Sequence, residues 1–307
     1  MHGRAWSVVP WKLARGSRVT AGLAIMTITL AVPPCAVAQR APAVPPAVLQ
    51  AIAAQRLPQS AVSFVVMDPD DSRIVAALNP AVPRSPASTV KVVTTFASLD
   101  MLGPVYTWHT RALLKGELES GTLKGDLVLQ GGGDPYMTLE RWWSFARALR
   151  NQGLQRIHGN IIIDDGSFHV TQTDRGAFDG KPNRNYNVLP DALMVNFQNV
   201  EFRLRANPAT RRVEIDADPL PANLVIDNRV RYSTSRCRGP SRRVDYAVDP
   251  RDDRRVIFNG ALSAECAPRS FGRVVMSPAE YAYGTFLAIW RELGGEFDGQ
   301  LVLGASP

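Results

Sequence analysis

Residues 84–104 read Arg84-Ser85-Pro86-Ala87-Ser88-Thr89-Val90-Lys91-Val92-Val93-Thr94-Thr95-Phe96-Ala97-Ser98-Leu99-Asp100-Met101-Leu102-Gly103-Pro104. Ser85 as N-cap with Pro86 at the first helical position opens a helix, and Gly103-Pro104 closes one. Between those signals Val90, Val92, Val93, Thr94 and Thr95 are β-branched and lean locally toward a strand. The caps, and a run of about 17 residues where strands span roughly 4–8, decide for a helix. A helix apolar on nearly every side is expected to run buried through the centre of a domain. On it Ser88 and Lys91 stand three residues apart, on one face, so a hydroxyl and an amine can meet. A serine attacks poorly until a neighbouring base takes its proton, and a lysine held away from bulk water can do that. Ser88 is therefore the expected nucleophile and Lys91 the expected base.

Outward from that helix, the preceding chain reads as a short helix at 48–55 and two strands at 61–67 and 72–78. The turn chemistry of Asp68-Pro69-Asp70-Asp71 joins the strands into a hairpin. After Thr107 the texture changes to short strands at 107–115 and 125–130, followed by Gly131-Gly132-Gly133-Asp134-Pro135. That glycine run lacks the Lys-Ser/Thr of a phosphate loop, and Asp134 reads as a turn residue. A helix at 139–152 carries Trp142, Phe145, Ala146 and Leu149 on one face, and 159–165 is a strand. Residues 174–187 form a long polar loop. Residues 200–206 with 212–215 read as a hairpin, as do 223–232 with 256–259 on either side of a basic connector. A second apolar-faced helix spans 278–293, and 301–303 is one more strand. The mixture places the chain in the α/β (α+β) class.

Residues 1–38 read as a secretory leader. Arg4, Lys12, Arg15 and Arg18 form a basic start, an apolar run follows at 19–32, and Ala36-Val37-Ala38 offers a cleavage site before Gln39. The apolar run is too short for a comfortable membrane span. The protein is thus expected to be periplasmic or otherwise secreted, cut near Ala38. Cleavage removes four positive charges and lowers the net charge from +7 to +3. The basic balance then gives no argument for nucleic acid. Cys237 and Cys266 remain, and an even count in an exported chain points to one disulfide, with free buried thiols as the alternative. His109, His158 and His169 are scattered and lack ligand spacing, so neither a metal nor another cofactor is expected.

The Ser-x-x-Lys spacing matches the signature of penicillin-binding proteins and serine β-lactamases. The stretch from Arg84 to Pro104 resembles the D-alanyl-D-alanine carboxypeptidase/endopeptidase family of the penicillin-binding protein 4 type. The resemblance continues through Leu123-Lys124-Gly125-Asp126-Leu127, Gly132-Gly133-Asp134-Pro135 and Gly159-Asn160-Ile161-Ile162-Ile163-Asp164-Asp165. It runs on through 186–199 and the helix near 281–293. It implies residues 39–106 as the first part of a penicillin-recognising, transpeptidase-like domain, 107–295 as a β-rich insertion, and 296–307 as the start of a return to the first domain. It also implies acyl transfer on peptidoglycan stem peptides. Ser88 would attack the bond between two D-alanines, Lys91 would be its base, and the Ser88 N–H would hold the oxyanion. β-Lactam antibiotics would acylate the same serine. The sequence contains no Ser-x-Asn triplet and no Lys-Thr-Gly or Lys-Ser-Gly, the motifs that complete such a site, and so reads as truncated at its C-terminal end. Two other readings stay open: a non-catalytic wall-binding or scaffolding protein, and a β-lactamase or esterase on the same motif.

Overall fold

The computed structural model describes residues 44–171 and 174–304, so the expected leader and its cleavage site at Ala38 lie outside the described residues. The chain divides into two units, one ending at Thr95 and one beginning at Phe96. The expected boundary at 106/107 falls eleven residues later than this division, which cuts a helix.

In the first unit, helix α1 (Pro46–Ala54) and a 3₁₀ turn (Gln59–Ala61) precede strands β1 (Phe64–Met67) and β2 (Ile74–Leu78). The strands pair antiparallel, Phe64 opposite Leu78, as the hairpin reading expects. Asn79 ties the hairpin back to its entry: its Nδ2 donates to the carbonyls of Gln59 and Val62, at 2.8 and 2.9 Å. A 3₁₀ turn (Ala87–Thr89) then leads into α2 (Val90–Leu102). Ser85 is not the N-cap. Ala87 sits in the left-handed region (φ 44°), so the chain turns there and regular helix starts only at Val90.

The second unit is built on a sheet whose strands break in register with one another. Strands β3 (Arg111–Glu119) and β4 (Thr122–Gln130) form an antiparallel hairpin. Helix α3 (Leu139–Asn151), capped by Thr138, crosses over to β5 (Arg156–Ile157) and β6 (Ile161–Asp164), which lie parallel to the two ends of β4. At the break the backbones come very close. A Cβ on Gly159 would lie 2.3 Å from the carbonyl oxygen of Gly125. No side chain fits there, which explains the glycine.

Two three-stranded sheets follow. Strands β7 (Val200–Asn207) and β8 (Arg212–Asp218) form the expected hairpin. The second expected hairpin is corrected: β9 (Val225–Ser233) pairs parallel, not antiparallel, with β11 (Asp252–Ser263). The basic connector between them contains a 3₁₀ turn (Gly239–Arg242) and a further strand, β10 (Val244–Asp249), which takes the antiparallel place beside β11. Cys237 and Cys266 form a disulfide that closes this connector, as their even count predicts. Strand β12 (Arg269–Arg273) pairs with β7. Phe202, Phe258, Phe271 and Tyr246 meet between the two sheets, with ring centroids 5.1 to 6.4 Å apart.

Helix α4 (Pro278–Glu292) starts at the N-cap Ser277 and buries Tyr281, Phe286 and Trp290 completely. Its Phe286 packs against Trp142 of α3, 5.8 Å between centroids. Trp142 is fully buried and Trp143 half-buried. The last strands, β13 (Glu296–Phe297) and β14 (Leu301–Leu303), add to β5 and β6 in parallel. The sheet therefore runs across residue 295 without a break. Among the described residues no helix is long and apolar enough to cross a membrane.

Candidate active site

The segment that carries the candidate pair is anchored from behind. Arg84 donates through Nε to the Ser63 hydroxyl (2.6 Å) and through Nη2 to the Ser60 carbonyl (2.5 Å), fastening the approach to the hairpin entry. Pro86 follows, its carbonyl accepting from the Thr89 N–H (3.0 Å) and the Thr89 hydroxyl. These bonds close the tight turn that presents Ser88. The left-handed Ala87 in front of it is a local strain of the kind that clusters at functional sites.

Ser88 and Lys91 meet. Lys91 Nζ donates to Ser88 Oγ at 3.0 Å. The i, i+3 spacing survives the change of helix type because a 3₁₀ turn, with three residues per turn, eclipses positions i and i+3. The Ser88 N–H lies in the first turn and finds no carbonyl partner among the described residues, so it is available as a donor. A neutral amine at this distance can take the hydroxyl proton as the oxygen attacks a carbonyl.

The expected burial of the helix is corrected. None of the residues of α2 is buried; Phe96 is 69% and Met101 81% exposed, and Val92, Val93 and Leu99 are exposed too. Ser88 and Lys91 share that exposure. The apolar residues that led to the expectation are present, but none of the described residues covers them. The exclusion of water that a lysine base requires is accordingly not supplied by this part of the chain.

Sequence reasoning missed a cavity of about 420 Å³ inside the second unit. Asp165, Asp191, Asp253, Arg175 and Gln198 line it, with Phe168 and Pro278 as apolar wall. Gln198 is nearly fully buried and its Nε2 has no hydrogen-bond partner. Burial pushes the Asp191 carboxyl above its ordinary range, with the nearby Asp165 charge adding to the effect. No spacing signal announces this group, because its members come from five separate stretches of chain. The glycine run at 131–133 is structural: a Cβ on Gly131 would lie 2.3 Å from the backbone of Ala192. Asp134 caps a turn, accepting from the Tyr136 N–H at 2.9 Å.

Residues 46–307 match the D-Ala-D-Ala carboxypeptidase 3 (S13) family. The chain belongs to that family. Within it, the D-alanyl-D-alanine carboxypeptidase DacB of Haemophilus influenzae is 27% identical over 254 residues, 82% of this chain and 52% of that protein. A D-alanyl-D-alanine carboxypeptidase of an Actinomadura species is 25% identical over 232 residues, 72% of this chain and 42% of the relative. The fold agrees. The crystal structure of penicillin binding protein 4 (dacB) from Haemophilus influenzae superposes with a TM-score of 0.65 at 26% identity, covering 82% of this chain and 55% of the other. The same protein complexed with a β-lactam gives 0.59 at 24% identity, with 82% and 53% covered. The chain thus spans about half the length of the curated family members it matches.

Proposed function

We propose that this chain serves a serine-type D-Ala-D-Ala carboxypeptidase or endopeptidase acting on peptidoglycan stem peptides, with Ser88 as nucleophile and Lys91 as general base. The observation that carries the reading is the 3.0 Å contact between Lys91 Nζ and Ser88 Oγ in a chain that belongs to a D-Ala-D-Ala carboxypeptidase family. In the first half-reaction Ser88 Oγ bonds to the carbonyl carbon between two D-alanines while its proton passes to Lys91. The tetrahedral oxyanion is held by donors that include the Ser88 N–H. Collapse expels the amine, which leaves with a proton, and an ester remains on Ser88. Water then attacks that ester, releasing the shortened peptide and restoring the hydroxyl.

A β-lactam follows the first half of the same path, because its lactam amide stands in for the D-Ala-D-Ala amide. The basic start and apolar run of residues 1–38, together with the Cys237–Cys266 disulfide, support export to the periplasm or beyond. The exposure of Lys91 favours a second reading, in which the chain binds or scaffolds the wall without chemistry. Incubation with fluorescent penicillin separates the two. Covalent labelling that disappears in Ser88→Ala supports the peptidase; folded protein that takes no label supports the scaffold.

A further inference from the structure

The end of β9 and the connector to β10 carry several arginines with no carboxylate partner among the described residues. Neighbouring arginines are paired: Arg229 and Arg255 with Asp227, at 2.6 and 3.5 Å, and Arg243 with Asp245 at 2.9 Å. Arg231, Arg236 and Arg238 have no such partner among the described residues, and they converge on an open cleft of about 860 Å³. No acidic residue lines that cleft, whereas Tyr232, Ser233 and Ser235 bring hydroxyl groups to it. Three unpaired cations held together repel one another, so their gathering needs a reason other than stability.

The connector is not a loose solvated loop. The Ser241 hydroxyl lies within hydrogen-bond distance of the carbonyls of Arg236 (2.6 Å) and Arg238 (2.8 Å), its one proton shared between them, and the Arg238 N–H donates to the Arg236 carbonyl (2.7 Å). Ser263 Oγ holds the Ser235 carbonyl, and the Ala264 N–H holds the Ser233 carbonyl at 2.9 Å. The disulfide joins Cys237, between the two arginines, to Cys266 beyond the end of β11. The guanidinium groups therefore project from a backbone that is already fixed, which lowers the ordering cost of binding.

We infer that this cleft binds phosphate groups borne on a polymer, a phosphodiester chain of the polyol- or sugar-phosphate type. A guanidinium presents parallel N–H groups that meet two oxygens of one phosphate, and the hydroxyls supply donors for the rest. A phosphodiester chain brings one charge per repeat, so successive repeats reach successive arginines.

The test is fluorescence anisotropy of labelled soluble poly(glycerol phosphate) with the full chain, between about 50 and 200 mM salt. Three phosphate contacts give a slope of log affinity against log salt of about −2, at roughly −0.7 for each neutralised phosphate on a flexible strand. The triple variant Arg231→Gln, Arg236→Gln, Arg238→Gln should lose at least about tenfold in affinity and most of the slope. The triple variant Arg203→Gln, Arg205→Gln, Arg254→Gln makes the same charge change at paired positions and should bind within about twofold of the parent. Reducing the disulfide alters no arginine and should still weaken binding. Binding to phosphatidylglycerol vesicles but not to the soluble polymer would overturn the polymer and assign the phosphate to a lipid headgroup. Equal losses in the two triple variants, equal affinity for a polymer bearing carboxylates alone, or no salt-dependent binding to either phosphate probe would overturn the inference.

Discussion

At the scale of single residues, the proposed chemistry belongs to Ser88 and Lys91. Removing the base should slow acylation by a β-lactam by about 10²–10⁴-fold in Lys91→Ala, while Ser88→Ala should abolish it. Stopped-flow acylation rates check this, and a Lys91→Ala rate within threefold of the parent would remove Lys91 from the mechanism. A second residue tests the framework. Tyr281 is fully buried, its hydroxyl donating to the Asn199 carbonyl at 2.7 Å and accepting from Asn196 Nδ2 at 3.1 Å. Burial drives its phenol pKa well above the ordinary range. Tyr281→Phe removes both of these bonds but leaves Asn196 Nδ2 donating to the Asn199 carbonyl at 3.3 Å, and should cost about 1 kcal/mol in denaturant unfolding. The nucleophile and base were legible because i, i+3 spacing is a local property. The grouping of Asp191, Gln198 and Asp253 was not, since only tertiary folding brings such distant positions to one cavity.

At the scale of elements, the sheet and α2 make opposite demands on sequence. In the sheet, a Cβ on Gly299 would lie 1.8 Å from the Gly159 carbonyl oxygen, in the same line of close approach as Gly159 over Gly125. Gly159→Ala and Gly299→Ala should each destabilise by roughly 1–3 kcal/mol through overpacking, measured by urea unfolding. Helix α2 asks for little: Val92 and Met101 are 73% and 81% exposed, so Val92→Ser and Met101→Ser should change this chain's unfolding free energy by no more than about 0.5 kcal/mol. Helices α3, with its one-sided apolar face, and α4, apolar along most of its length, could be read from the sequence because their apolar runs and caps agree. The burial of α2 could not be read. Apolar composition says what a helix would gain from cover, not whether these residues provide it. The direction of β9 was likewise invisible, because two β-prone runs on either side of a connector look alike whether a third strand intervenes or not.

At the scale of the whole molecule, stability depends on the disulfide and on a carboxyl lining the cavity of the second unit. Reduction of Cys237–Cys266, separated by 29 positions, should lower stability by about 3–4 kcal/mol in the chain-entropy account. Asp191 has a raised pKa in the fold, so the folded state holds its proton more tightly than the unfolded chain does. Its contribution is present below the ordinary carboxylate range and declines as pH climbs through the raised value. Asp191→Asn, which keeps an oxygen for the Leu193 N–H, should therefore melt higher than the parent at pH 7, with the gap closing in acid. A variant melting lower at pH 7 would show that the charged form is stabilised instead. Fold class, the β1–β2 hairpin and the cysteine pairing were readable because each leaves a local or compositional mark. The division at Thr95 was not, because it falls inside a continuous helix. The most direct test of the central claim is intact-protein mass spectrometry after exposure to benzylpenicillin, followed by peptide mapping. A single penicilloyl adduct is expected on the peptide containing Ser88, absent from Ser88→Ala. An adduct on another residue, an undiminished adduct in Ser88→Ala, or folded protein with no adduct would contradict it.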